Sequence, residues 1–411
     1  MSHIVFVMGA NYPDFDANTN CVNNVIERII ADGHKVSCVC AGESEAVVSY
    51  HGTMIYKVKH IAYEARYAKA KPMLQKVMKL CHFLHSALVL PIFPNVEPMY
   101  SVNLYRQLEN LHKKTPIDCV VGVFRPFSCV WAAVKFGKKR NVKMVGYYLD
   151  ILKGAVKPFG ISQQRYEAIC DKGELRIFPK MDLLLMAENG RSIYEKDKRF
   201  SQYTHIRYVN FPTLVLRKST HKHIGGNRQP TTMVYAGYMD VTYRNPVPVI
   251  ESVIQAKQEN PQLQLHLYGS SNMEREIYRF ASENPDTIFY HGKVDKTVAD
   301  RALAEADYLI NIGNDILGIV PSKVFELIGL KKPIVYFTNK ALDSALPYFE
   351  QYPDVCIIEK KEDCVTSAQK MVDFIQSERK DIDDAFLRKH YDSALPDTTA
   401  QYIEGVAEIA K

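Results

Sequence analysis

The sequence predicts an α/β protein of two Rossmann-like, doubly wound parallel-sheet domains with an interdomain cleft. Three observations predict it. The chain has 411 residues, enough for two cores. Strand-like and helix-like segments alternate along it, and parallel strands joined by helices are the economical explanation. The alternation stops once, at the polar, basic "LRKSTHKHIGGNRQP", and then restarts. The expected boundaries are an N-terminal domain over 1–215, a linker over 216–230, a C-terminal domain over 231–390 and a C-terminal helix over 391–411.

The elements follow in order. "HIVFVMGA" is a strand. "TNCVNNVIERIIADGH" is a helix with Val22, Val25, Ile26, Ile29 and Ile30 at helical spacing and Gly33 as its stop. "KVSCVCA", "IDCVVGVF", "VKMVGYYLD", "MDLLLMAE" and "HIRYVNF" continue the first set of strands. Tyr56–Phe93 interleaves basic, aromatic and aliphatic residues and reads either as a basic amphipathic surface for an anionic membrane or as a helical pair packed on its own domain. After the linker come strands "TTMVYAGY", "LQLHLYGS", "IFYHGKV", "DYLINIG", "KPIVYF" and "VCIIE", separated by amphipathic helices. The last helix places Tyr402, Ile403, Val406 and Ile409 on one face.

Composition is that of a soluble globular protein, 47% hydrophobic and 24% charged. The most apolar run, "FLHSALVLPIF", is too short to span a bilayer, and the N-terminus lacks a basic n-region and a cleavage site. Nine cysteines without CxxC spacing argue against a disulfide framework or a zinc site and fit a reducing cytoplasm. Cys38 and Cys40 are read as pointing to opposite faces of a strand. Residues 1–215 hold 29 Lys+Arg and 18 Asp+Glu, a net of +11, against −5 for the remainder. Either the first half faces an anionic surface or substrate, or solvated charge is unevenly spread. No nucleic-acid-binding motif appears.

"VPSKVFELIGLKKPIVYF" carries the clearest chemistry. Pro321 suits the first turn of a helix. Free N–H groups there, with Ser322 and the charge of Lys323, make an anion site. Glu326 lies on the same face as Lys323, roughly 5–6 Å away between Cβ atoms. An ionised carboxylate accepts two hydroxyl donors at once, as from a ribose diol. One turn would then hold the diphosphate and ribose of a nucleotide; the other reading is an ordinary surface ion pair.

The stretch "GNDILGIVPSKVFELIGLKKPIVYF" resembles the donor-binding segment of GT-B nucleotide-sugar glycosyltransferases, the retaining family 4. "VYAGYMDVTYRNP" resembles the first strand and loop of that family's second domain, and Arg244, seven residues after Gly237, matches its diphosphate-binding basic residue. "LQLHLYGSS" resembles the next strand and Gly turn, and "IFYHGKVDKTVADRALAEADYLI" the strand and loop that hold the base. The N-terminal "GANYPDFDANTNCVNNVIERIIADGHKV" resembles the first strand and loop, and the C-terminal helix over 391–411 resembles the one that crosses back onto the first domain. The match is most specific over 234–337 and weak over 41–181. It implies donor binding by Gly237, Tyr238, Gly269, Lys293, Val294, Val320, Pro321, Ser322 and Glu326, and acceptor-side contacts by Asn11 and Thr19.

This sequence departs from the family pattern. Gly318 stands where the first of two glutamates is usual, Tyr238 where many members have Arg, and Asn18 and Thr19 replace a Gly-Gly pair. Lys323 and Arg244 remain as the cations that stabilise a departing nucleoside diphosphate. Asp150 follows a strand and is either a cap or a carboxylate facing the donor sugar; it completes the catalytic candidates. Arg125, also at a strand end, is a candidate for an acidic acceptor or a solvated side chain. Asp14/Asp16 and Asp381/Asp383 superficially match a metal-binding Asp-x-Asp but read as solvated loops, so no metal and no cofactor is expected.

The resemblance implies a metal-independent, retaining glycosyltransferase of polysaccharide biosynthesis. It would move a sugar from a nucleotide donor, UDP-linked, to a hydroxyl of a glycan or lipid-linked glycan, in the cytoplasm or as a peripheral protein at the inner membrane face. Expected partners are the donor, the acceptor and an anionic membrane surface, with no nucleic acid. The rival readings are a nucleotide-sugar epimerase of the same fold and a catalytically silent GT-B partner subunit.

Overall fold

The structure is a computed structural model that describes residues 1–9, 11–13, 17–60, 66–67, 70–154, 161–216 and 230–409. The chain divides into two compact units, Met1–Thr213 with Ser393–Lys411, and Leu214–Asp392. Most of the expected linker, 217–229, lies outside the described residues.

The first unit is built on eight strands: β1 (His3–Met8), β2 (Lys35–Gly42), β3 (Ala46–Tyr50), β4 (Thr53–Lys59), β5 (Cys119–Phe124), β6 (Lys143–Tyr148), β7 (Leu183–Ala187) and β8 (Ile206–Val209). Their order is β3-β4-β2-β1-β5-β6-β7-β8, parallel except for β3 against β4. The central strands are buried on both faces, which explains their unbroken apolar runs. Val5, Val7 and Val120 face one core layer, and Ile4, Phe6 and Val121 the other.

Three sequence readings need correcting in this unit. Cys38 and Cys40 share one face of β2 and pack in one core layer, because a strand's side chains repeat with period two. Tyr56 through Lys59 end β4 rather than opening a helical segment. The hairpin before it turns at His51 and Gly52, both with positive φ. The returning helix Pro396–Glu408 packs on helix Ala17–Ala31 through Ala400, Ile403 and Ala407, while Tyr402 and Ile409 are exposed. Small alanines let two helices approach, so the buried face is rotated from the one the larger side chains suggested.

The second unit carries β9 (Thr231–Ala236), β10 (Leu263–Tyr268), β11 (Ile288–Gly292), β12 (Tyr308–Ile312), β13 (Ile334–Thr338) and β14 (Val355–Glu359). All are parallel, in the order β11-β10-β9-β12-β13-β14. The chain starts mid-sheet, winds outward one way, and returns to wind outward the other way. The loops after β9 and β12 therefore part at the reversal point, where doubly wound sheets take their ligands.

Candidate functional site

A cavity of about 200 Å³ opens at the carboxyl ends of β9, β10 and β11. Its walls bring together six residues singled out from the sequence: Gly237, Gly269, Lys293, Val294, Lys323 and Glu326. Tyr238, Val320, Pro321, Ser322 and Arg244 are not among its lining residues.

Two glycines fix the wall nearest the sheet. The Gly237 N–H donates to Tyr268 O at 2.9 Å, and the Gly269 N–H donates to Gly292 O at 2.7 Å. Gly269 has φ +132°, and a Cβ there would lie 1.9 Å from the Gly237 carbonyl oxygen. The backbones after β9 and β10 thus touch in a way that no side chain permits. The Tyr235 hydroxyl donates to Tyr238 O at 3.0 Å, and burial pushes that phenol up to about 12. Tyr238 itself is about half exposed.

The opposite wall is the start of helix Lys323–Gly329. Pro321 precedes the helix rather than lying in it; its carbonyl accepts the Val324 N–H at 3.2 Å. Val320 is buried, and Ser322 is the N-cap residue. The helix has seven residues, too few for a large dipole, so the charge in this wall comes chiefly from side chains. Lys323 Nζ sits 3.0 Å from Glu326 Oε2. Gly318, upstream in the same loop, has φ +79° and donates its N–H to Ser344 Oγ at 2.7 Å. A glutamate there would carry a side chain in the left-handed region, which accounts locally for its absence.

Sequence reasoning missed Tyr268, Lys296, Ala299 and Asp300, which also line the cavity. Tyr268 immediately precedes Gly269, and Lys296 and Asp300 are spaced i, i+4 on the helix after Val294, so the signal was adjacency to residues already chosen. Lys296 Nζ pairs with Asp300 Oδ2 at 2.7 Å. Lys293, Lys296 and Lys323 against Asp300 and Glu326 leave the lining one positive charge in excess. Tyr268 stacks on His291 at 4.2 Å between centroids, and His291 in turn stacks on His266. Burial, then the neighbouring His291, lowers His266 to about 4, and burial lowers His291. The stack is thus uncharged at neutral pH.

Arg244 lies in the loop that follows β9. Its Nε donates to Asn314 in the loop after β12. Asp240, buried, shapes the preceding turn by accepting the Thr242 and Tyr243 N–H groups at 2.8 and 2.7 Å.

In the first unit, β5 and β6 are in register at Phe124 and Tyr148, so the residues after them are neighbours. Arg125 Nε lies 3.4 Å from Asp150 Oδ2, and both side chains are 40% or more exposed. A pair so exposed contributes about 0–1 kcal/mol to stability. Asn11 Oδ1 accepts from Lys57 Nζ at 2.9 Å, and Thr19 is fully buried. Asp14 and Asp16 lie outside the described residues. Asp383 caps helix Asp384–Tyr391 by accepting the Phe386 N–H at 2.7 Å.

No protein-family model and no curated protein sequence matches the chain. Solved structures do. The lipopolysaccharide-biosynthesis glycosyltransferase WaaG aligns over 99% of this chain and 99% of its own, with 12% identity and a TM-score of 0.53. The catalytic domain of starch synthase IV from Arabidopsis thaliana, bound to ADP and acarbose, aligns over 100% and 99% with 9% identity and a TM-score of 0.58. The N-terminal domain of trehalose-6-phosphate phosphatase from Candida albicans aligns over 99% and 97% with 10% identity and a TM-score of 0.59. At such identities the likeness is one of architecture: this chain has the GT-B fold.

Proposed function

We propose that the protein is a glycosyltransferase that takes a sugar from a nucleotide donor, UDP-linked, and passes it to a hydroxyl of a glycan or lipid-linked glycan. The observation that carries this reading is the cavity at the β9–β11 strand ends, where Gly237, Gly269, Lys293, Val294, Lys323 and Glu326 converge. Backbone close to the cavity floor suits a flat base, a carboxylate suits a ribose diol, and a lysine beside it suits a phosphate. Fold likeness to WaaG and starch synthase IV adds support for glycosyl transfer in general.

On this reading the sugar–phosphate bond breaks as negative charge builds on the diphosphate. Lys323 and Arg244 are the cations assigned to that charge. The acceptor hydroxyl attacks on the face of the departing phosphate, which takes its proton, so the sugar keeps its configuration. Asp150 and Arg125 are the side chains assigned to the sugar and the acceptor. The reaction needs no divalent metal. Calorimetric titration of UDP with and without EDTA, followed by hydrolysis of a nucleotide-sugar panel, is the test. Binding abolished by EDTA overturns metal independence. Nucleotide binding without turnover of any donor and acceptor pair leaves the silent-subunit reading in its place.

The lipid-linked acceptor and a station at the inner membrane face are supported by helix Pro72–Val89. Met73, Val77, Leu80, Leu84 and Leu88 recur at helical spacing on one face, and each is more than half exposed. Lys71, Lys76 and Lys79 lie in the same stretch, within a basic unit, and Lys69 lies outside the described residues. Each Lys near an anionic surface contributes about 1 kcal/mol. No described helix is long and apolar enough to cross a membrane. Sedimentation with anionic and neutral vesicles at low and high salt tests the contact; binding that ignores lipid charge and salt refutes an electrostatic component, and no binding favours a soluble acceptor.

A further inference from the structure

The loops after β9 and β12 are tied together by a side chain that belongs to neither. Lys360 stands just past β14, at the edge of the second sheet. Its ammonium reaches past the end of β13. Nζ donates to Gly313 O at 2.7 Å and to Tyr243 O at 3.3 Å, and lies 3.0 Å from Asp315 Oδ1. Three acceptors use the full donor capacity of an ammonium. The side chain is only 11% exposed.

The same point is reinforced from both loops. The Asp315 N–H donates to Tyr243 O at 3.2 Å, and Arg244 Nε donates to Asn314. Gly313, Asn314 and Asp315 from one loop therefore meet Tyr243 and Arg244 from the other, with Lys360 at the centre. Removing the ammonium would leave Asp315 without its ion pair and the two loops joined only by the Asp315–Tyr243 and Arg244–Asn314 hydrogen bonds. By contrast, Tyr268, Lys293 and Val294 hang from β10 and β11, on the far side of β9. Their placement does not pass through Lys360.

We propose that Lys360 is a positioning residue for the diphosphate: by clamping Tyr243 O, Gly313 O and Asp315 it sets where Arg244 is presented to the donor. The proposal rests on the nucleotide-sugar reading above. Lys360 touches no substrate atom; it acts through Arg244 and the loop that leads to Lys323.

The test is calorimetric titration of the full chain with UDP and with uridine, which lacks the phosphates. Lys360→Met keeps the stem and removes the charge. Its Kd for UDP should rise about ten- to a hundredfold, the scale of one lost charge-assisted hydrogen bond. Its Kd for uridine should stay within about twofold of wild type. Lys360→Arg, which restores a cation, should recover most of the UDP affinity. Amide exchange at Asp315 and Gly318 should accelerate in Lys360→Met, which reports the loop tie without any ligand. Unchanged UDP affinity in Lys360→Met overturns the proposal, as does an equal loss for UDP and uridine. A wild-type chain that binds neither nucleotide nor nucleoside overturns the parent reading, and this one with it; it is told apart from failure of Lys360 alone, in which wild type and variant bind UDP alike.

Discussion

Replacing Glu326 with alanine separates ribose recognition from everything else the site does. Glu326 Oε2 accepts from Lys323 Nζ at 3.0 Å, with the two side chains 24% and 30% exposed. An i, i+3 pair with that solvent access contributes about 0.2–0.5 kcal/mol, so the substitution should barely move the melting temperature. Binding should move far more. Hydrogen bonds to an ionised group contribute about 1.5–3 kcal/mol, and one carboxylate shared by two ribose hydroxyls falls near 2–3 kcal/mol in all. That is a rise in Kd for UDP of about 30- to 150-fold. Titrating wild type and variant with UDP and with its 2′,3′-dideoxy analogue gives the decisive comparison. Wild type should prefer UDP by that factor, and Glu326→Ala should bind both compounds alike. Wild type that binds the two equally refutes the assignment, and so does a variant that loses the same affinity for both.

Three further outcomes follow from other parts of the molecule. Gly269→Ala forces a Cβ to 1.9 Å from Gly237 O at a backbone φ of +132°; overpacking plus strain of about 2–4 kcal/mol should lower the melting temperature and weaken UDP, and a variant equal to wild type in both removes the proposed wall. Burial pushes the Glu174 carboxyl up to about 8, against the pull of Tyr194 and Lys153. Folded Glu174 then holds a proton that the unfolded chain releases above about 4.5, so wild type loses up to about 1.4 kcal/mol per pH unit between there and pH 8. Glu174→Gln lacks this loss; its melting temperature relative to wild type should climb from pH 5 to pH 8 and then level, and parallel pH profiles refute the burial argument. Leu80→Ser with Leu84→Ser should reduce sedimentation with anionic vesicles at least tenfold, since each buried leucine contributes about 1.5–3 kcal/mol, whereas unchanged sedimentation excludes the apolar face from the contact.

The sequence made legible what short-range chemistry determines. Strands such as His3–Met8 and Leu183–Ala187 were readable because both of their faces are buried and nothing polar interrupts them. The pair Ala46–Tyr50 and Thr53–Lys59 was not: β3 is exposed, and its turn depends on a positive φ at His51, a residue with no strong claim to one. The pairing of Lys323 with Glu326 was legible from spacing, since residues three apart on a helix meet; their reading as donor ligands came from the resemblance. Lys360 was not legible, because two of its three acceptors are backbone carbonyls 47 and 117 residues away, and a carbonyl leaves no mark on the sequence. Tyr402 misled for the opposite reason, since size suggested burial where Ala400 and Ala407 make the helix contact.

On the proposed reading, the charges of the donor site are arranged to take an anion. Lys296 and Lys323 are each neutralised within one helical turn, by Asp300 and Glu326. Both pairs are part-exposed, so each holds its lysine by well under about 1 kcal/mol and yields it to a diphosphate at little cost. A lysine buried without a partner would resist charging instead. Arg244 is treated differently: Nε is committed to Asn314, and the loop behind it is pinned by Lys360. On the proposed reading, the donor site thus combines lysines that can swing from a carboxylate to a phosphate with one guanidinium held in place. Such a division suits a leaving group whose charge grows during reaction, because the fixed cation needs no reorganisation when that charge appears.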